Sequence, residues 1–414
     1  MPDLNPGVVA SNALTARWVE AAGQHRGQFA VSGAGVWPLL AALAAGAEGP
    51  ARAELEHAVG LAGDRALAAA ADVIGAIDRA AGAKGALGLW LREDIRLRAD
   101  WASALPSGTR GLLHGPPEKD QAAIDAWVKE RTLGILDHMP ARIDDETVLL
   151  LAACLAIQTR WETPFEVSDS PGSFQSGPWA GRRLRGLTAT FEDLDRITVL
   201  DTRIGALTIF DSLGADDIDV HLVIGPEQSA PGAVLSEGIA ALAGERPWRG
   251  GGDLHTGDTA PGLVVEEIET HDPSPPFIHI QTVAFEVTAG HDLLHRADLF
   301  GLGTAADASR GHFPGISDRP LAVQQARQSV RATFSAEGFE AASVTSMTMR
   351  LGLSLNPPPP HTVRVLRVVF DRPFGFLAVD RSSRLVLVAG WVENPAPPPH
   401  AEDFESMRRS SSGR

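Results

Sequence analysis

Glu337-Gly338-Phe339-Glu340-Ala341-Ala342-Ser343-Val344-Thr345, then Asp371-Arg372-Pro373-Phe374 and Gly390-Trp391-Val392-Glu393-Asn394-Pro395, are the stretches on which the fold turns. The first carries no proline as far as Met349. One alternate set is Ala341, Ser343, Thr345, Met347 and Met349, and the other is Glu340, Ala342, Val344, Ser346 and Thr348. A segment of this kind can enter the middle of a sheet, because each backbone N–H can join a ladder while one side-chain face is buried. The last stretch completes a hairpin, Phe374 to Val379 and Leu385 to Val388 about Asp380-Arg381-Ser382-Ser383-Arg384. Its arms are apolar on both faces, which places it inside a packed sheet.

Outward from these stretches the chain divides by period. Helical spacing is predicted from Leu14 to Ala22 behind a Ser11 cap, from Val36 to Ala45, from Ala53 to a stop at Gly60, from Ala66 to Ala81, and from Asp120 to His138. After residue 145 strand-length apolar runs take over: Val148 to Ile157, Leu207 to Phe210, Val220 to Ile224 and Val363 to Phe370. Helices first and strands later, with no βαβ alternation, predict one large α+β domain over residues 1–395. Residues 396–414, rich in proline and serine, read as a disordered tail.

Charge and composition narrow the function. A net charge of -16, from 36 Lys+Arg against 52 Asp+Glu, repels phosphate backbones and anionic lipid, so neither nucleic acid nor a membrane is an expected partner. The single cysteine, Cys154, lies in an apolar run and reads as a small buried hydrophobe. The first residues have neither a basic start nor an apolar run, so a cytoplasmic protein is expected, with an extracellular one as the alternative. No constellation carries catalysis: there is no HExxH pair, no Gly-x-Ser-x-Gly elbow, and His291 and His295 have no recognisable third ligand. Asp216, Asp217 and Asp219 read as a solvated turn, Gly301-Leu302-Gly303-Thr304 as a helix exit, and Arg182-Arg183-Leu184-Arg185 as a solvated basic turn. Neither an enzyme, a cofactor nor a metal is expected.

Taken together, the spaced segments resemble the serpins from about residue 10 to Pro395. Ile124-Asp125-Ala126-Trp127-Val128, Trp161-Glu162-Thr163-Pro164-Phe165, Phe313-Pro314-Gly315-Ile316-Ser317 and the three stretches quoted first are similar to that family's motifs in order and spacing. Departures from the family pattern suggest a divergent member of bacterial type. The resemblance implies a metastable fold in which a protease cuts an exposed reactive loop, here about residues 338–360. The first half of the loop then becomes a central strand and carries the acylated protease with it. The implied role is that of a monomeric suicide-substrate inhibitor of a serine protease. A non-inhibitory role in binding, storage or as a chaperone is the alternative.

The resemblance also assigns residues. The hinge is Glu337, Gly338, Phe339, Glu340, Ala341, Ala342, Ser343, Val344 and Thr345, and the scissile bond falls among Arg350, Leu351, Gly352 and Leu353. Leucine there favours chymotrypsin-, elastase- or subtilisin-like proteases with apolar pockets, whereas Arg350 suits a trypsin-like one. The sheet-opening region maps to Ser32, Ala153, Trp161 and Gln328. Ala153 and Gln328 replace the family's asparagine and histidine, so its polar network reads as mostly removed. Phe339 occupies the first inserting position, where inhibitory members carry Thr or Ser. Burying its ring there is expected to slow insertion at about 1–3 kcal/mol, and threonine to favour the covalent complex.

Overall fold

The computed structural model describes residues 5–24, 27–139, 141–168, 174, 176–271, 274–339 and 361–397. The opening helix, Pro6–Ala22, buries Val8, Leu14, Trp18 and Val19 along one side. Its cap is Asn5, whose side chain accepts the Gly7 N–H, while Ser11 is buried mid-helix rather than capping. Helix Gly33–Gly46 is buried nearly all round, as a helix without a polar face must be, and starts at Ser32, whose hydroxyl accepts the Gly35 N–H. Helix Gly49–Val59 ends at Gly60 in the left-handed conformation, followed by Gly63–Arg79. Helix Pro117–Arg131 is shorter than expected because Leu133 and Gly134 both take positive φ and turn the chain out.

Three sheets pack with these helices among the described residues. The central one runs Arg110–Leu113, Ala83–Arg92, Leu149–Ile157, Gln325–Phe334, with Phe285–Asp292 along the far side of Gln325–Phe334. Behind it a second sheet holds the hairpin Phe374–Asp380 and Val386–Val392 beside Ile218–Ile224. A third is built around Leu263–Thr270, His361–Val369, Phe277–Val283 and Gly186–Phe191. Strand Leu149–Ile157 is buried throughout. Leu149, Leu151, Ala153, Leu155 and Ile157 face the main core, and Leu150, Ala152 and Cys154 face a smaller cluster with Ile124 and Val128 of the covering helix. This two-sided burial is why the run has no polar alternation. The Cys154 thiol sits 3.4 Å from the Met139 sulfur, and burial pushes its pKa up to about 12, so little of it is thiolate near neutral pH.

His291, near the end of strand Phe285–Asp292, is held by its Nε2–Ala30 O hydrogen bond at 2.7 Å and packs edge-on against Trp18. Burial, reinforced by the nearby Arg296 charge, holds its pKa below the ordinary histidine value. The folded state therefore binds fewer protons than the unfolded chain. Stability is full above about pH 6.5 and falls as pH drops from there toward the lowered folded value. Urea unfolding at pH 7.5 and 5.5 should show a loss that is smaller in His291→Gln, with the half-buried His279, also lowered, accounting for part of the remainder. An equal loss in both proteins would remove His291 as the cause.

Candidate functional site at the centre of the large sheet

Seven residue pairs, Gln325–Arg331 against Leu150–Ala156, form a parallel seam in the middle of the central sheet. Above the seam the flanking strands part, and the two-residue strand Gly338–Phe339 lies between them. It runs antiparallel to both neighbours: Phe339 opposes Phe334 on one side and Thr159 on the other, and Gly338 opposes Arg160. Only glycine fits at 338, since a Cβ there would stand 2.2 Å from the Thr159 carbonyl oxygen.

The turn that delivers this strand is fixed from two sides. Ser335 N–H and hydroxyl both donate to the Gly338 carbonyl, at 2.8 and 2.9 Å. Trp161 donates its indole N–H to Ser335 O at 2.9 Å and its backbone N–H to Glu337 O at 3.0 Å, and the Phe165 N–H donates to Ala336 O at 2.7 Å. The Trp161 ring packs 4.8 Å from Phe334. Glu162, next to Trp161, joins Arg381, which also grips Asp219 through two short hydrogen bonds. Asp219 is thus a buried ion-pair partner and not part of a solvated turn. The network ties the Trp161 segment to the hairpin of the second sheet.

Phe339 is 0% exposed, its ring 6.1 Å from Phe376. Of the exposed loop expected from Glu337 to Pro360, Glu337 is half-buried and Gly338 and Phe339 are buried strand. Glu340, Ala341, Ala342, Ser343, Val344 and Thr345, with Arg350, Leu351, Gly352 and Leu353, lie outside the described residues, as does the tail from residue 398.

Lower in the sheet, Ser32, Ala153 and Gln328 come together, while Trp161 belongs to the hinge above. Gln328 pairs directly with Ala153 across the seam. Its amide clasps Ser32 from both sides, accepting the Ser32 N–H at 3.1 Å and donating to Ser32 O at 2.7 Å. The Ser32 hydroxyl donates to Leu387 O at 2.6 Å. The polar network is thus reduced rather than removed: Gln328 ties the central sheet to Ser32 at the start of helix Gly33–Gly46, and Ser32 in turn reaches the second sheet. Sequence reading missed Thr159, Ser335 and Phe376; Phe165 carried a signal in Trp161-x-x-Pro-Phe.

Residues 10–177 and 282–395 match the family model described as Serpin (serine protease inhibitor). The chain belongs to the serpin family. That places it in a superfamily of protease inhibitors and not of enzymes. Putative serpin-Z6A of Oryza sativa subsp. japonica is 25% identical over 87% of this chain and 92% of that protein. Alpha-2-antiplasmin of Bos taurus is 24% identical over 71% of this chain and 52% of that protein. Among solved structures, Serpin48 of the insect Tenebrio molitor superposes with a TM-score of 0.67 at 16% identity, covering 95% of this serpin and 98% of that chain. Thyroxine-binding globulin in complex with thyroxine gives 0.69 at 15% identity, over 94% and 99%. These likenesses give the fold. The bacterial type expected from sequence finds no support in them.

Proposed function

We propose that this serpin inhibits serine proteases as a suicide substrate, by inserting its cleaved loop into the central sheet. The observation that carries this reading is the strand Gly338–Phe339, which already stands between the two strands that insertion must separate. Extending its pairing downward sets a register from both neighbours at once, with the same offset as the parallel seam. Ala341 then falls between Ala332 and Ile157, Ser343 between Val330 and Leu155, and Thr345 between Gln328 and Ala153. These small inward residues meet the core, while Val344 comes beside Cys154 on the outer face. Insertion exchanges one parallel ladder for two antiparallel ones, and antiparallel pairing is the slightly more stable per residue. That difference in pairing favours the inserted state.

The ring expected to obstruct insertion offers no such barrier in this reading. Phe339 is buried before any cut, so its accommodation belongs to the uncleaved fold. The protease serine attacks the carbonyl carbon of the bait residue, forming an ester as the peptide C–N bond breaks and the amine leaves. About twelve further residues at about 3.3 Å each carry the ester-linked protease about 40 Å down the sheet.

Incubation with trypsin, chymotrypsin, elastase and subtilisin, followed by denaturing electrophoresis, tests the proposal. The expected result is a band resistant to denaturant, with cleavage between Arg350 and Leu353, strongest for the enzymes with apolar pockets. Complete cleavage without adduct across all four would leave a substrate and support a non-inhibitory role.

A further inference from the structure

Helix Pro6–Ala22, the end of helix Gly49–Val59 and the turn Leu293–Arg296 that leads into the short helix Ala297–Phe300 meet around a cavity of about 240 Å³. Its polar lining is Arg17, His57, Arg296 and Asp298, and the rest is alanine and leucine. It shares no residue with the hinge or the parallel seam. Arg17 is held in place by a hydrogen bond to Ala58 O, one of the carbonyls that the helix end leaves free. Burial lowers the Arg17 pKa from the ordinary arginine value, and no carboxylate acts against that. The side chains of His57, Arg296 and Asp298 form no hydrogen bond or ion pair among the described residues. The neighbouring acids of helix Gly49–Val59 are occupied elsewhere: Glu54 accepts from Thr304, and Glu56 pairs with Arg52.

In a chain whose net charge is -16, two guanidinium groups without a carboxylate partner in one small cavity mark a place for an anion. Chemistry narrows which one. Guanidinium groups take the oxygens of phosphate in pairs, and donors that converge from three elements suit a tetrahedral oxyanion better than a planar carboxylate. Asp298 can only accept when ionised, so a ligand beside it needs a donor of its own. Hydrogen phosphate carries both, with three oxygens that accept and one P–OH that donates, whereas sulfate at neutral pH has no proton to give. The volume lies below the roughly 300 Å³ at which ordinary small-molecule sites begin, which leaves no room for a nucleotide base.

From this arrangement we propose that the cavity binds inorganic hydrogen phosphate, held by Arg17, His57 and Arg296 and selected over sulfate by the proton it gives to Asp298. Calorimetric titration of the uncleaved serpin with sodium phosphate at pH 7.5 and constant ionic strength should show one saturable site, with sodium sulfate at least about tenfold weaker. Glycerol 3-phosphate, almost wholly a dianion without P–OH at that pH, should also bind more weakly than phosphate and so separates the free ion from an esterified one. Arg296→Gln removes no contact among the described residues and should weaken phosphate about tenfold with the melting temperature in phosphate-free buffer unchanged. Asp298→Asn supplies an amide donor and should bring sulfate to within about threefold of phosphate. Arg110→Gln, at an exposed arginine outside the cavity, should leave binding as it is. No saturation by about 10 mM phosphate, sulfate as tight as phosphate in the unaltered serpin, binding indifferent to Arg296→Gln, or an unchanged preference in Asp298→Asn would each overturn the assignment.

Discussion

Phe339→Ala is expected to lower the unfolding free energy of the uncleaved serpin by about 3–5 kcal/mol, the usual range for emptying a fully buried phenylalanine site. The ring is wholly buried at the point where three strands meet, packed toward Phe376 and flanked by Phe334 and Thr159, so little can collapse into the space it leaves. The smaller Phe339→Thr keeps β propensity but adds a hydroxyl to an apolar setting, and it should destabilise by a similar amount. Neither variant should increase the yield of covalent complex over simple cleavage, contrary to what the sequence suggests, because the ring is buried both before and after insertion. Urea unfolding and the moles of inhibitor needed per mole of protease are the two measurements. Stability unchanged by Phe339→Ala would mean that the hinge strand does not hold the ring in solution.

The second large effect is a covalent bond that should form only after cleavage. Val344→Cys introduces a thiol that the proposed register sets directly opposite the native Cys154. Directly opposed residues of antiparallel strands have Cα atoms about 4.5–5.5 Å apart, inside the range a disulfide spans. Oxidation with diamide at mildly alkaline pH, followed by alkylation in denaturant, should find two free thiols in the uncleaved variant and none in the cleaved one. In the proposed register Ser343→Cys and Thr345→Cys would face the main core and should not link to Cys154, which faces the smaller cluster beneath helix Pro117–Arg131. A link from either of them would shift the register by one. Cleavage followed by no link in any variant would count against insertion along this seam.

Much of this architecture was legible in residues that carry local signals. The apolar stripe Leu14, Trp18, Val19 gives the first helix, Gly60 marks a stop, and the run from Leu149 to Ile157 declares a strand buried on both faces. Strand Ala83–Arg92 was not legible, although it lies inside the central sheet, between Arg110–Leu113 and Leu149–Ile157. Its first residues, Ala83-Lys84-Gly85-Ala86-Leu87-Gly88, have low β propensity, and the strand forms because nine register pairs with strand Leu149–Ile157 override that preference. The site divides in the same way. Motifs placed the hinge glycine and Trp161 in sequence, but the entry of Phe339 into the sheet depends on how far apart Thr159 and Phe334 are held, which no local pattern encodes. The Ser32–Gln328 clasp joins residues almost three hundred positions apart, and glutamine at 328 reads as a loss until its amide oxygen and nitrogen are both seen to meet the backbone of one residue.

In the proposed inserted state, anchoring at Phe339 would also give the segment that follows a grammar of parity. With that ring fixed against the core, every later residue would take a face by whether its distance from 339 is odd or even. One residue added directly after Phe339 would turn the Glu340 carboxylate inward between Ala332 and Ile157, with no partner for its charge, and would reverse every position beyond it. Two added residues would restore the alternation and move the cut point by about 7 Å. By the proposed insertion, the length of the segment would therefore change at low cost only in even steps.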